Sequence, residues 1–254
     1  MQNTNTAHEA PLRSFRITVP EPAQSGVAAL LEEEGFRFEP EPFSACCRRL
    51  TAEPRPLGSS LAAFFGLIYI QDRSSMLPPL ALAPEKGAAV LDMCASPGSK
   101  TGFLAQLVGP GGFVLANEVS HSRLFTLRQN LRVCNFLQAG TCSYEGQNIP
   151  LAPGSLRYIQ LDPPCSGWGT AVKNPKVMAL WHDDKVKPLI GLQRLLLRRA
   201  AELLAPGGVV VYSTCTTNSG ENERQVEYAE ACLGLTREPL APFPGFYWDD
   251  REGS

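Results

Sequence analysis

From residue 67 onward, short apolar runs alternate with amphipathic stretches, and this alternation limits the chain more than any other feature. "AAVLDMCA" (88–95), "GGFVLANEVS" (111–120), "SLRYIQLDPPCSG" (155–167) and "GVVVYSTCT" (208–216) read as strands. The first is apolar almost throughout, as a strand buried on both faces must be. Between them, "SPGSKTGFLAQLVG" (96–109), "SRLFTLRQNLRVCN" (122–135) and "IGLQRLLLRRAAELLAPGG" (190–208) supply a turn with its helix, a second helix, and a long amphipathic helix running to its glycines. The pattern predicts an α/β fold: a doubly wound, mostly parallel sheet with helices on both faces.

The segment before residue 67 reads differently. Residues 1–11 are polar and predict a disordered tail. "SFRITVP" (14–20) suits a strand, and "AQSGVAALLEEEG" (23–35) a helix with Val27, Leu30 and Leu31 on one side and a glycine stop. The Pro-rich "FEPEPFSACCRRLTAEPRPLGSS" predicts one short strand between loops. Residues 12–66 would then form a small α+β subdomain, and 67–254 the core, which "GLIYIQDRSSMLPPLAL" (66–82) opens with a strand and a helix.

Bulk properties exclude several classes. The formal net charge of −2 gives no global attraction for a polyanion, so any nucleic-acid contact must come from local patches. Eight cysteines (46, 47, 94, 134, 142, 165, 215, 232) occur without a CxxC, and His8, His121 and His182 are far apart, which argues against a metal site. The N-terminus has no apolar signal-peptide region. The longest apolar run, "LAAFFGLIYI" (61–70), is short of the about 20 residues that span a bilayer. A cytoplasmic protein with free thiols and no membrane partner is expected.

Ligands of such sheets bind beyond the carboxyl ends of the strands. The first such turn is "DMCASPGSKTG" (92–102). It contains Lys-Thr, but a P-loop would need glycine where Cys94 and Ser99 stand. GxGxxG is also missing. What remains is a tight turn that opens a helix. Glu118, 20 residues after Gly98, ends the next strand, where a carboxylate accepts the hydroxyls of a ribose. The competing reading has Glu118 capping the following helix. A ligand with a ribose and no phosphates to cradle fits S-adenosylmethionine.

"DMCASPGSKT" (92–101), "LDPPCSGWGT" (161–170) and "YSTCTTNSGENE" (212–223) together resemble the Sun-type (Nol/Nop/Sun) family of RNA cytosine-C5 methyltransferases. The similarity covers about residues 12–235. It implies a Rossmann-like methyltransferase core, S-adenosylmethionine as methyl donor and an RNA substrate, ribosomal or transfer. It also implies that Cys94, Ala95, Ser96, Pro97, Gly98, Ser99, Lys100, Glu118, Glu145 and Asp162 line the donor site. Glu145 departs from the aspartate usual in the family. By the same resemblance, Cys215 attacks the base and Cys165 assists product release. The family core usually ends in a further strand pair, whereas this chain stops at "PGFYWDDREGS" (244–254); the expectation is either a chain short of its native end or a sheet that closes differently.

The chemistry explains why two thiols are needed. Cytosine C5 is a poor nucleophile, and a thiolate adding at C6 pushes electron density onto C5. A free cysteine near pKa 8.5 is only a few per cent thiolate at neutral pH, so a positive neighbour would help; Lys100 is the nearest motif candidate. Asp162 is placed to hydrogen-bond the base as charge develops. Pro163 and Pro164 stiffen the loop. Cys134, Cys142 and Cys232 read as core.

Residues 173–199 carry Lys173, Lys176, Lys185, Lys187, Arg194, Arg198 and Arg199, with Trp168 and Trp181 close by in the sequence. Basic groups with aromatics suit a surface that tracks phosphates and stacks bases. Arg123, Arg128 and Arg132 read as a solvated helix face. A monomer is expected. Two other readings stand beside the first: an amino-nitrogen methyltransferase, because Asp-Pro-Pro resembles the D/N-P-P turn of those enzymes, and a catalytically silent RNA-binding scaffold.

Overall fold

The computed structural model describes residues 13–171, 174, 176–177 and 183–246. The chain divides into two compact units, Met1–Arg73 and Ser74–Ser254. The tail 1–11, Lys173, Trp181 and the end of the chain from 247 lie outside the described residues.

The first unit is a four-stranded antiparallel sheet with one main helix. Strand β1 (Ser14–Ile17) is followed by helix α1 (Glu21–Glu33) and by the hairpin β2 (Arg37–Glu41) and β3 (Ser44–Ala52). A short helix, α2 (Leu61–Phe64), leads to β4 (Ile68–Ile70). The strand order is β2-β3-β1-β4. Phe15, Ile17, Val27, Leu31, Leu50 and Ile68 form its core. Two expectations change here. The Pro-rich segment forms a hairpin rather than one short strand, with Pro40 accommodated opposite Arg48. The strand of "GLIYI" does not open the second unit: it pairs with β1, Phe15 against Ile70, so the units divide after Arg73 rather than at 66. Arg73 closes the first unit with a two-pronged bond to the buried Glu41, at 2.6 and 2.7 Å.

The second unit begins with α3 (Leu77–Leu82) and continues as β5 (Ala89–Asp92), α4 (Ser99–Val108), β6 (Phe113–Asn117), α5 (His121–Val133), β7 (Ala139–Cys142), β8 (Leu156–Leu161), α6 (Asp183–Leu203), β9 (Leu204–Tyr212) and α7 (Glu223–Leu233). All strand pairs of its five-stranded sheet are parallel, in the order β7-β6-β5-β8-β9. The order reverses direction between β5 and β8, the switch point where such sheets open a crevice.

The central strands are covered on both faces, which is why β5, β6 and β8 are mostly apolar. Val90, Val114 and Tyr158 face one way, against Leu104, Leu124 and Leu127. Leu91, Ile159 and Leu161 face the other, against Leu196, Leu197 and Ala200 of α6. Helix α6 stops at Leu203, earlier than the glycines suggest, and the chain passes straight into β9. Pro206 lacks the N–H needed to extend a helix. The Ala205–Gly208 stretch instead makes an irregularity in the register of β9 on β8, between the pairs Leu156–Leu204 and Tyr158–Val209.

Candidate active site

Strands β8 and β9 are neighbours, and their last residues, Leu161 and Tyr212, are register partners. The two loops that follow therefore leave the sheet side by side. Ser213 N donates to Leu161 O at 3.0 Å, and Gly169 N donates to Cys215 O at 3.0 Å. A Cβ on Gly169 would sit 2.9 Å from that carbonyl, so the approach needs glycine. This adjacency brings Cys165 Sγ to 3.3 Å from Cys215 Sγ, across 50 residues of sequence. All eight cysteines are free; Cys215 is exposed, whereas Cys165 is half-buried.

The contact polarises the pair. The Cys165 thiol hydrogen-bonds Cys215, and with help from the charge of Lys100 it holds the Cys215 pKa down at about 7, against the opposing effects of burial and Asp162. The same contact, together with burial, pushes Cys165 up, so it keeps its proton. One sulfur is exposed and readily ionised; the other is a proton-bearing neighbour.

Lys100 comes from the first turn of α4. Its Nζ donates to Asp162 Oδ2 at 2.6 Å, and Ser213 Oγ donates to Asp162 Oδ1 at 3.0 Å. Lys100, Asp162 and the two cysteines are thus one cluster. Lys100 already has a carboxylate partner, so the chief support for ionising Cys215 is Cys165.

A cleft of about 240 Å³ lies beside this cluster. Cys94, Glu118 and Glu145 line it with Met93, Asn117, Gly146 and Pro164. Pro164, next to Cys165, belongs to both the cleft wall and the thiol loop. The other residues of the glycine-rich turn hold the turn in place. Ala95 is buried. Ser96 and Arg123 bond each other reciprocally, Ser96 Oγ to Arg123 O and Arg123 Nη2 to Ser96 O, both at 3.0 Å. Asn130 Nδ2 donates to Pro97 O at 2.8 Å. Gly98, the N-cap of α4, has φ +105°, and a Cβ there would meet Leu127. Ser99 opens α4. Below the turn, buried Asp92 accepts from Thr101 Oγ1 at 2.7 Å, and burial raises its pKa to about 6. Burial also pushes Cys94 up, which makes it an unreactive wall residue.

Glu118 is almost fully buried, just ahead of α5, whose N-cap Ser120 has no side-chain cap. Glu118 Oε1 accepts from Ser120 N at 2.9 Å, and its Oε2 lies 3.4 Å from Arg123, yet the side chain borders the cleft. Arg123 is exposed, as a solvated helix face should be, and also borders the cleft. Glu145 Oε2 accepts from Asn148 Nδ2 at 2.8 Å.

The sequence reading missed Asn117, Gln193 and Glu221. Asn117 ties three chain segments together: its amide donates to Met93 O and Tyr144 O, and its oxygen accepts from Tyr144 N. A polar residue closing the apolar run "FVLAN" was the available signal. Gln193 and Glu221 are fully buried behind the cysteines, and only the fold reveals them.

The basic segment divides. Arg199 is structural, donating to Ile149 O and Leu151 O. Arg194 lies over the Tyr228 ring at 5.0 Å, and Arg198 donates to the Tyr228 hydroxyl. Lys176, Lys185 and Lys187 are exposed. Cys232, expected in the core, is exposed too, because it lies on the outer side of α7. Among the described residues no group of acidic, histidine or cysteine side chains could hold a metal, and no helix is long and apolar enough to cross a membrane.

Residues 79–232 match the family described as 16S rRNA methyltransferase RsmB/F. The chain is 38% identical over 255 residues to ribosomal RNA small subunit methyltransferase F of Serratia proteamaculans, covering 96% of this chain and 53% of that protein. It is 38% identical over 218 residues to the protein of the same name from Shewanella amazonensis, covering 84% and 47%. The chain thus spans about half the length of these curated relatives. Among solved structures it resembles a methyltransferase homolog protein from Pyrococcus horikoshii, with TM-score 0.76 and 35% identity over 88% of this chain and 71% of that one.

Proposed function

The chain belongs to the 16S rRNA methyltransferase RsmB/F family, and from that premise we propose that it transfers a methyl group from S-adenosylmethionine to C5 of a cytosine in ribosomal RNA through a covalent adduct on Cys215. The observation that carries this reading is the 3.3 Å pair of thiols beside Lys100 and Asp162. A single reactive cysteine would serve many reactions. An exposed, easily ionised sulfur next to one that keeps its proton suits a reaction in which a carbon–sulfur bond is first made and then broken.

The cleft residues fit the donor. Glu118 is a nearly buried carboxylate on the cleft wall, suited to ribose hydroxyls, and Glu145 offers a second acceptor beyond Asn117. When bound, S-adenosylmethionine supplies an electrophilic methyl group on a sulfonium. The chain's own residues do the rest. With a pKa of about 7, Cys215 is roughly half thiolate at neutral pH, against a few per cent for an ordinary cysteine. The thiolate adds to C6, and the electron pair moves toward C5. Asp162 is braced by Lys100 and Ser213, and in this reading its role is to stabilise the charge that develops on the base. Once C5 is methylated, its proton passes to a water-derived base, the C–H electron pair re-forms the C5–C6 double bond, and Cys215 leaves as thiolate. The Cys165 thiol, already hydrogen-bonded to that sulfur, stabilises the departing thiolate.

The test is adduct trapping. Cys165→Ala and Cys215→Ala proteins are incubated with cellular RNA and S-adenosylmethionine and run on denaturing gels. Only Cys165→Ala is expected to remain on RNA, and the captured RNA then identifies the substrate. Trapping of Cys215→Ala alone would reverse the roles. With ribosomal RNA present, no adduct from either variant would remove covalent catalysis and favour amino-nitrogen methylation or RNA binding without catalysis.

A further inference from the structure

Behind the two thiols, a single buried carboxylate fastens one cysteine loop to the other. Glu221 has no exposed surface. Its Oε1 accepts from Ser166 N at 3.0 Å and from Gln193 Nε2 at 3.0 Å, and its Oε2 accepts from Ser166 Oγ at 2.5 Å. Ser166 directly follows Cys165. Its hydroxyl also lies 2.7 Å from Thr216 Oγ1, and Thr216 directly follows Cys215. Gln193 reaches from α6 to Pro164 O at 2.9 Å, so the residues on both sides of Cys165 are held by the same network. Tyr212 Oη donates to the backbone carbonyl of Glu221 at 2.7 Å, which anchors the network to the end of β9.

Beyond the strands, Gly169 N bonds Cys215 O and Ser213 Oγ bonds Asp162 on the outer side, while Glu221 supplies the buried tie next to Cys165. Three donors converge on one fully buried carboxylate, where each bond is strong and each loss leaves a buried group unpaired. The shared partner gives the Cys165 loop one position relative to the Cys215 loop. We propose that Glu221 is a positioning residue, which through Ser166 and Gln193 sets the Cys165–Cys215 spacing that lets one sulfur ionise and the other assist. This rests on the cysteine roles proposed above, but its test does not require RNA or methylation.

The test uses the thiols themselves as a ruler. Diamide-driven formation of a Cys165–Cys215 disulfide is followed by peptide mass spectrometry, with alkylation of the exposed Cys232 as the internal control of thiol reactivity. S-adenosylmethionine binding reports that the fold is intact. Glu221→Ala should slow cross-linking about tenfold, the equivalent of one buried charge-assisted bond. It should also move the alkylation midpoint of Cys215 upward, leaving Cys232 unchanged. Glu221→Gln, which keeps an acceptor for Ser166 N and Gln193, should recover most of the rate. Wild-type cross-linking and an unmoved midpoint in Glu221→Ala would overturn the proposal. If that variant does not fold, Ser166→Ala decides by the same measurement: a several-fold fall supports the role, and a wild-type rate rejects it. Failure of the covalent reading would appear elsewhere, as an absence of RNA adduct with the thiol spacing still dependent on Glu221.

Discussion

Lys100 Nζ lies 2.6 Å from Asp162 Oδ2, joining the first turn of α4 to the loop after β8. The pair places a positive and a negative charge together beside Cys215, where they act on the thiol in opposite directions. Removing the lysine removes the favourable charge and exposes the thiol to an unneutralised carboxylate. In Lys100→Ala the alkylation rate of Cys215 at pH 7 should fall about threefold, its pH profile moving upward. An unchanged profile would show that the pair only fastens the loop.

Cys165 should matter more than Lys100, because its hydrogen bond is the largest cause of the lowered Cys215 pKa. Cys165→Ala returns Cys215 toward an ordinary thiol, and its alkylation at pH 7 should drop about tenfold. Iodoacetamide labelling read by mass spectrometry compares both variants in one experiment. A larger effect from Lys100 would reverse this order.

Glu118 gives a measurement on the donor. If the nearly buried carboxylate accepts the ribose hydroxyls, Glu118→Ala should weaken S-adenosylmethionine about 10- to 100-fold, the scale of hydrogen bonds to a charged group. Calorimetric titration checks this. Unchanged affinity would leave the side chain with its bonds to Ser120 N and Arg123 alone.

Asp92 predicts a pH dependence of stability. Burial raises its folded-state pKa from the ordinary 3.8 to about 6. Between these values the folded protein keeps a proton that the unfolded chain has lost. The stability from neutral Asp92 is therefore complete below about pH 4 and is lost as pH rises through 6, amounting to about 3 kcal/mol at about 1.36 kcal/mol per pH unit. Asp92→Asn should remove this component. Urea unfolding at pH 4 and pH 7 should show the variant gaining on wild type at the higher pH, and parallel curves would refute it.

Much of the second unit was legible beforehand because its physics is local. A strand covered on both faces must be apolar over most of its length, and a helix between two such strands must carry an apolar stripe; "AAVLDMCA", broken only by Asp92, and "LQRLLLRRAAELL" show these patterns without reference to any neighbour. The strand of "GLIYI" was legible as a strand, yet its partner was not, because period and propensity do not say which edge a strand joins. The carboxylate of Glu118 at the end of β6 could be placed by counting; its bond to Arg123 could not.

Local residue patterns suffice for the parallel α/β sheet, the glycine-bounded turn at its first strand end and two cysteines in polar loops. That these cysteines meet follows only from the folded arrangement. Their 3.3 Å contact forms because β8 and β9 are neighbours, and Glu221 bonds the Cys165 loop to its own just behind them. Strand order and buried hydrogen-bond partners arise when segments far apart in the chain compete for the same interior, and that competition leaves no periodic trace in any one of them.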